Sequence, residues 1–210
     1  MLILINAAGT GMHHRGVMNP AGNLVELRQS VTPALLRLFA ALGGAAQDGS
    51  PFDILAGQRL SLVAVCAIMD ALPNTPPALA RNIAAALAGF LRHDYLAVIT
   101  EEEDGLLVKL QPRLLLGDDL DEAIRQLMEE HRRDRQEALL LAAKCDEIAT
   151  GLSDGEAAAT LVALRAFAER QRRHLAWEEA IILPLARDRL SSDDLSQWKQ
   201  AMKKRLHSVK

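Results

Sequence analysis

One helical turn near residue 176 carries the clearest candidate metal ligands in this sequence. His174 and Glu178 are four residues apart, in His-Leu-Ala-Trp-Glu. If the segment is helical, both side chains lie on one face, where an imidazole and a carboxylate can hold one metal ion or two adjacent ions. Isolated pairs of this kind also occur by chance on exposed, charged helices. The apolar neighbours Ala176, Trp177 and Ile181 favour burial of part of this turn.

Two further segments supply side chains that a metal centre needs. His131 follows a pair of glutamates, and it becomes a candidate ligand only with partners on another helix. The acidic run 101–104 covers every face of a helix, so at least one carboxylate must point inward if that helix is packed. An inward carboxylate needs a cation or a hydrogen-bond donor, or its pKa rises. In four-helix bundles, metal sites are built from such side chains on facing helices.

The composition predicts an all-α protein. A chain of 210 residues can bury a core that needs no disulfide. Aromatic residues make up only 3%, which disfavours an all-β fold and an aromatic platform for single-stranded nucleic acid. A net charge of -3 provides no basic field for a phosphate backbone. Cys66 and Cys145 have neither CxxC nor zinc-site spacing, and we expect both thiols to be reduced and buried.

Helical spacing of apolar residues predicts four substantial helices joined by short loops. We expect them over residues 52–72, 78–110, 120–149 and 153–184. The second helix is expected to break near Gly105, and the fourth to end or kink at Pro184. A short terminal helix is expected over 191–207. Short loops make consecutive helices antiparallel neighbours, which predicts an up-down-up-down four-helix bundle with short extra helices at both ends. We divide the chain into an N-terminal arm, 1–48, and the bundle, 49–210.

The order and spacing of these segments resemble the hemerythrin-like (HHE cation-binding) domain family over roughly residues 50–206. The segments that carry the resemblance are 53–59, 90–107, 130–132, 167–184 and 190–194. The resemblance implies a four-helix bundle with a non-haem di-iron centre that is held by histidines and bridging carboxylates. Members of the family carry or sense oxygen, store or sense iron, or respond to nitric oxide and peroxide.

The resemblance also implies a ligand set, in which two family positions are replaced. By position, the implied ligands are Glu101, His131, His174 and Glu178. Gln58 stands where the family has a histidine in the first bundle helix, and Ala97 stands where it has one a turn before the glutamate. His93 is a possible substitute. Because eight residues of helix rise about 12 Å, one ion cannot bind both His93 and Glu101 without a distorted helix.

The replaced ligands leave two states of the site open. Two histidines and two carboxylates suffice for one divalent ion, although they are few for a di-iron centre that binds oxygen reversibly. In the other state the site holds no metal. Gln58 then bonds to Glu101, and a histidine bonds to Glu178, because buried polar groups must be paired. The expected cofactor is therefore iron, mononuclear or dinuclear, or none.

Three functions are compatible with these residues. We expect a cation-binding or sensing protein for iron, oxygen or an oxidative signal, with a weakened or lost di-iron site. One alternative is a metal-free bundle with an interaction or structural role. Another is a di-iron oxidase or a peroxidase-like enzyme. The replaced ligands disfavour an enzyme, and the sequence has neither GxGxxG nor a Walker loop.

The N-terminal segment supplies a candidate interaction surface. A helix predicted over Val31–Leu42 has an apolar face without an evident partner in a four-helix bundle, which predicts a homodimer. The adjacent His13 and His14 can fold over the open side of the site if the arm is flexible. We expect neither nucleic acid nor membrane as a partner, because the longest apolar runs are too short to cross a bilayer. A cytoplasmic location is expected.

Overall fold

The computed structural model describes residues 49–115, 117, 120–151 and 154–208, and every regular element within these ranges is helical. The all-α prediction is confirmed. The helices are α1 (Pro51–Ala71), α2 (Pro77–Arg92), α3 (Asp94–Glu101), α4 (Leu120–Thr150), α5 (Asp154–Ala180), α6 (Ile182–Arg189) and α7 (Ser192–Ser208). The N-terminal arm, the helix predicted over 31–42 and the pair His13–His14 lie outside the described residues, so the homodimer stays a prediction.

The helices form a bundle in which α2 packs along α4 and α1 packs along α5. Two hydrophobic clusters fill the bundle. The first contains Tyr95 and Phe167, which meet edge to face, and it also buries both free cysteines as expected. The second contains Trp198 of α7, with Phe52 against its edge. Burial raises the pKa of the Cys66 thiol to about 11 and that of Cys145 to about 12.

A polar layer separates the two clusters along the bundle axis. On α1, Leu55 belongs to the second cluster and Leu62 to the first, and the buried Arg59 lies between them. The same order of first cluster, polar layer and second cluster is found on α4, on α5 and along the helical segment that contains the acidic run 101–104. Buried charged side chains of four consecutive segments therefore meet at one level, which is where the candidate ligands lie.

The second predicted helix is interrupted twice, once near Gly105 as expected and once at His93, which was not predicted. The helix is interrupted at His93, between α2 and α3. After α3 the chain continues as a π-helix over Glu102–Leu107. Gly105 lies inside this π-helix, so the regular α-helix is interrupted near Gly105 as predicted, although the chain stays helical there. A Cβ atom at Gly105 would collide with the indole of Trp198 and the carboxylate of Glu101. Glycine at this position therefore lets α7 pack directly on the π-helix.

The fourth predicted helix is interrupted close to the expected proline. α5 ends at Ala180, Ile181 forms the junction, and α6 contains Pro184 in its first turn. A proline ring clashes with the carbonyl four residues earlier, which here belongs to Ala180, and proline has no N–H to donate. The interruption therefore falls three residues before Pro184, in agreement with the prediction that Pro184 ends or kinks the helix.

Within the described part of the chain, two helical stretches are long and apolar enough to span a membrane by length and composition. They are Pro51–Asn74 and Pro77–Arg113, and 44% of the most apolar window is buried in each. The expectation that every apolar segment is too short to cross a bilayer therefore underestimated the length of these two helical stretches. One or two such helices are weak evidence, because the core helices of soluble proteins pass the same test. The expected location and the absence of a membrane partner stay predictions.

Candidate metal centre

Four buried or nearly buried side chains from three elements converge in the polar layer. Glu102 opens the π-helix, His131 comes from α4, and His174 and Glu178 come from α5. One potential ligand atom of each lies within 4.8 Å of all the others. His131 and Glu178 are each only 1% exposed. We refer to these four residues as the cluster. Three of its members, His131, His174 and Glu178, were predicted from the sequence. In place of the fourth predicted ligand, Glu101, the cluster contains the adjacent Glu102.

The cluster is organised around two facing imidazoles. Nε2 of His131 and Nε2 of His174 are 3.3 Å apart. Nε2 of His131 is 3.5 Å from Oε2 of Glu102, and Nε2 of His174 is 3.5 Å from Oε1 of Glu178. Two ligand atoms on one tetrahedral ion, each about 2.1 Å from it, are about 3.4 Å apart. These three separations match that value, and all four ligand atoms lie within 4.8 Å of one another, so the cluster has room for a single ion.

The His131 ring is oriented by a carboxylate from the π-helix. Its Nδ1 lies 3.1 Å from Oε1 of Glu103, and because a carboxylate can only accept, Nδ1 carries the proton. Arg135 donates two hydrogen bonds of 2.7 and 2.6 Å to the same carboxylate. Burial would raise the pKa of Glu103, but the bonds from His131 and Arg135 lower it to about 2. Glu103 is thus a permanent anion that leaves Nε2 of His131 free to bind a metal.

The His174 ring is held in the same way from α4. Its Nδ1 lies 3.2 Å from Oε2 of Glu130, and Gln126 donates a 3.0 Å bond to Oε1 of that carboxylate. Burial would raise the pKa of Glu130, but the bonds from Gln126 and His174 outweigh this effect and lower it. Both histidines therefore donate from Nδ1 to an ionised carboxylate and direct Nε2 into the cluster. This is the arrangement that orients metal-bound histidines.

A buried arginine lies on the other side of the two cluster carboxylates. Nη1 of Arg59 contacts Oε2 of Glu178 and lies 3.6 Å from Oε1 of Glu102. Nη2 donates a 2.6 Å bond to the carbonyl of Leu175, which holds the guanidinium in place. Arg59 is 7% exposed. Each carboxylate thus has one oxygen beside the imidazoles and the other beside Arg59.

Two buried oxygen atoms at this level lack a hydrogen-bond donor among the described residues. They are Oε1 of Glu102 and Oε1 of Gln58. Burial, and then the nearby Glu178, raise the pKa of Glu102 well above its ordinary range, although Arg59 opposes this. A carboxylate in this state lacks full cationic compensation. The donor set of two imidazoles and two carboxylates, with an incompletely compensated buried glutamate, fits a divalent metal ion.

Glu101 lies outside the cluster, and the prediction that named it is corrected on this point. Its Oε1 accepts a 2.6 Å bond from the indole of Trp198 and a 2.6 Å bond from Arg205, and its Oε2 accepts a 2.9 Å bond from Arg205. Both partners belong to α7. One residue of helix rotates a side chain by about 100°, so Glu101 faces α7 and Glu102 faces the imidazoles.

The other residues singled out at this site lie as follows. His93 is exposed at the junction of α2 and α3 and is not part of the cluster, so the suggested substitution is not seen. Ala97 is also exposed, and the position one turn before Glu102 is the buried, apolar Val98. Gln58 does not bond to Glu101, contrary to the metal-free arrangement considered above, because that carboxylate is bonded to α7.

Two grooves flank the cluster. One, of about 520 Å³, runs between α4 and α5 and is lined by Glu130 and His174. The other, of about 490 Å³, runs between α1 and α5 and is lined by Arg59 and by the largely exposed Leu60. The first groove reaches an imidazole of the cluster, and it therefore connects the cluster with solvent.

Sequence reasoning missed Glu102, Glu103, Glu130 and Arg59. The acidic run signalled that one carboxylate points inward, but the spacing alone could not say which. Glu130 stood beside His131 and was read only as its neighbour. Arg59 carried no signal at all, because its partner Glu178 is 119 residues away in the sequence.

Comparison with known proteins agrees with this geometry. The sequence profile of the family described as Hemerythrin HHE cation binding domain matches residues 50–186, which is well over half of the chain. The matched range contains Arg59 and all four cluster residues. No curated protein and no solved structure gives a significant match.

Proposed function

The chain belongs to the hemerythrin family of HHE cation-binding domains, and we propose that it binds one divalent transition-metal ion, iron in the cell, through Glu102, His131, His174 and Glu178. One observation carries the proposal. The two imidazoles direct their Nε2 atoms at each other across 3.3 Å, while each Nδ1 donates to a carboxylate.

This arrangement of the imidazoles calls for a cation. When Nδ1 carries the proton of a neutral histidine, Nε2 presents a lone pair. Two lone pairs that face each other, next to the carboxylates of Glu102 and Glu178, repel one another in a buried site. A proton on one Nε2 relieves the repulsion through an N–H···N hydrogen bond at 3.3 Å, and a metal ion bound to both nitrogens removes it while also compensating the carboxylates. Imidazole and carboxylate together suit divalent iron, and also zinc, nickel or copper, so the family supports the choice of iron.

The residues around the cluster, and the groove that leads to it, support a binding or sensing role. An iron ion supplies redox chemistry and exchangeable coordination positions when it is bound. Glu103 and Glu130 accept the Nδ1 protons of the two imidazoles and have lowered pKa values, as expected of carboxylates that orient metal-bound histidines. The groove of about 520 Å³ that is lined by His174 leads from solvent toward the cluster. We therefore propose a sensor of iron, oxygen or an oxidative signal.

A metal-free bundle with a structural role is the second candidate, and Arg59 favours it. Its guanidinium contacts Glu178 and lies close to Glu102, so it compensates part of the carboxylate charge without any metal. A buried carboxylate pair with a buried arginine can persist as a polar core. This candidate and the proposed function differ in one measurable property, which is the retention of metal by the folded chain.

Metal titration of the full chain tests the proposal. We would strip the protein with a chelator and titrate it under anaerobic conditions with Fe²⁺, and separately with Co²⁺, by calorimetry and by metal analysis after gel filtration. We expect one ion per chain and a loss of at least tenfold in affinity for Glu102→Gln.

Glu101→Gln provides the matched control, since it removes the charge of the adjacent buried carboxylate, which does not reach the imidazoles. We expect it to keep one ion. Failure of the folded wild-type chain to retain any metal would refute the proposed function and leave the metal-free candidate. Equal losses in both variants would refute the assignment of Glu102.

A further inference from the structure

We propose that Arg59 takes the place of a second cation in the cluster and thereby restricts the site to one metal ion. The inference rests on the proposed function, because it concerns how many ions the same carboxylates can share. The two carboxylate oxygens of each cluster glutamate face different neighbours.

The carboxylates of Glu102 and Glu178 bridge two positions. One position lies at the imidazoles, where Oε2 of Glu102 and Oε1 of Glu178 are each 3.5 Å from an Nε2 atom. The other is filled by Nη1 of Arg59, which contacts Oε2 of Glu178 and is 3.6 Å from Oε1 of Glu102. A pair of carboxylates that each offer one oxygen to either side is the arrangement that shares two cations. Here one of those cations is part of the protein.

The guanidinium is fixed at this position. Arg59 is 7% exposed, and the carbonyl of Leu175 accepts a 2.6 Å bond from Nη2. The rest of its surroundings offers little to a metal ion. Glu179 lies 3.9 Å from Nη2 with a largely exposed side chain, and the neighbouring Gln58 supplies only a neutral oxygen. An ion could therefore enter only if the guanidinium left.

Charge gives the same result. Four carboxylates surround the imidazoles, those of Glu102, Glu103, Glu130 and Glu178. Arg59 and Arg135 offset two of these charges, and one divalent ion at the imidazoles balances the two that remain. A second divalent ion would add a large uncompensated positive charge in a buried layer, which is strongly unfavourable. The arginine thus provides permanently what a second ion would otherwise supply.

The test counts metal ions in the wild-type chain and in Arg59→Met, Arg59→Lys and Arg172→Met. The probe is Mn²⁺, measured by equilibrium dialysis and by electron paramagnetic resonance, which distinguishes an isolated ion from a spin-coupled pair. Arg172 is the matched control. It also lies between α1 and α5, where it forms an ion pair with Asp70, but it does not contact the cluster carboxylates. Circular dichroism confirms that each variant is folded.

We expect one isolated ion per chain in the wild type, in Arg59→Lys and in Arg172→Met. Arg59→Met should bind a second ion at least tenfold more tightly than the wild type does, with the signal of a coupled pair. Two ions in the wild-type chain would overturn the inference even if Arg59→Met did not fold. One ion in both the wild type and a folded Arg59→Met would overturn it while leaving the proposed function intact.

The absence of bound ions from the wild type would refute the proposed function instead. Suppose that Arg59→Met bound a single ion in that case. Arg59 would then prevent any ion from binding, instead of limiting the site to one ion, and the inference would be wrong as well.

Discussion

Substitution of Glu103 by glutamine isolates the role of the residues that orient the ligands. Glu103 accepts the Nδ1 proton of His131 at 3.1 Å and two hydrogen bonds from Arg135 at 2.7 and 2.6 Å. A glutamine is almost the same size, but its amide group can offer only one accepting oxygen. Its NH2 would face a donor of either His131 or Arg135, so at least one of these contacts is lost.

The expected loss in metal affinity follows from this contact. Removal of a carboxylate that orients a metal-bound histidine typically weakens binding 10- to 100-fold, or about 1.4–2.8 kcal/mol. Glu103 is 12% exposed in its side chain, so solvent compensates little of the change. Arg135 is 32% exposed and can turn to water, so we expect the metal-free protein to lose only about 1–2 kcal/mol of stability.

Calorimetric titration with Co²⁺ and urea unfolding of the metal-free protein measure the two effects separately. Glu129→Gln is the matched control, since Arg132 donates two bonds of 3.0 and 2.6 Å to this exposed carboxylate, which does not contact a histidine. For this variant we expect no measurable change in stability and unchanged affinity, because the pair is exposed to solvent. The reasoning fails if Glu103→Gln binds Co²⁺ within twofold of the wild type, or if the control loses as much.

Four further predictions concern the packing beside the site, the buried cysteines and the expected dimer. Glu101→Gln should leave metal affinity unchanged but lower the free energy of unfolding by about 1.5–3 kcal/mol in urea, because it weakens charged bonds from Trp198 and Arg205; unchanged stability would contradict that role. Gly105→Ala should cost about 1–3 kcal/mol and shift the tryptophan fluorescence, since the added methyl group collides with the indole; a wild-type spectrum and stability would show that the helices do not pack there. Both cysteine thiols should resist a thiol reagent at pH 8 until the protein is unfolded, because burial raises their pKa values; rapid labelling of the native chain would be inconsistent with their burial. Light scattering should give the mass of a dimer for the full chain and of a monomer for Leu38→Glu, and a monomeric wild type would exclude the predicted dimer.

The helices were predictable because their signals are local. Apolar spacing, prolines and glycines placed the four main helical regions, and Pro184 explained the interruption between α5 and α6. The division at His93 had no such signal, and Gly105 indicated an interruption but not its π-helical form. The π-helix depends on tertiary packing, because Gly105 accepts the indole of Trp198, which is almost a hundred residues further along the chain.

The ligand types were partly predictable for the same reason. His174 and Glu178 are one turn apart on a single helix, so their common face follows from helix geometry alone. The pairing of that face with His131 required the family resemblance. Glu101 was chosen in place of Glu102 because a run of four acidic residues contains a candidate for every face of the helix, and spacing cannot rank them.

The sequence by itself determined an all-helical bundle and three of the four residues that converge in it. Only the tertiary structure decided which acidic residue faces the imidazoles. Trp198 and Arg205 bind Glu101 from α7, and this turns Glu102 toward His131. The role of the buried Arg59 was also decided by the tertiary structure. A charged residue among apolar helix positions finds its partners only when distant helices come together. The physical reason is that helix formation is local, whereas compensation of buried charge depends on every element that packs around it.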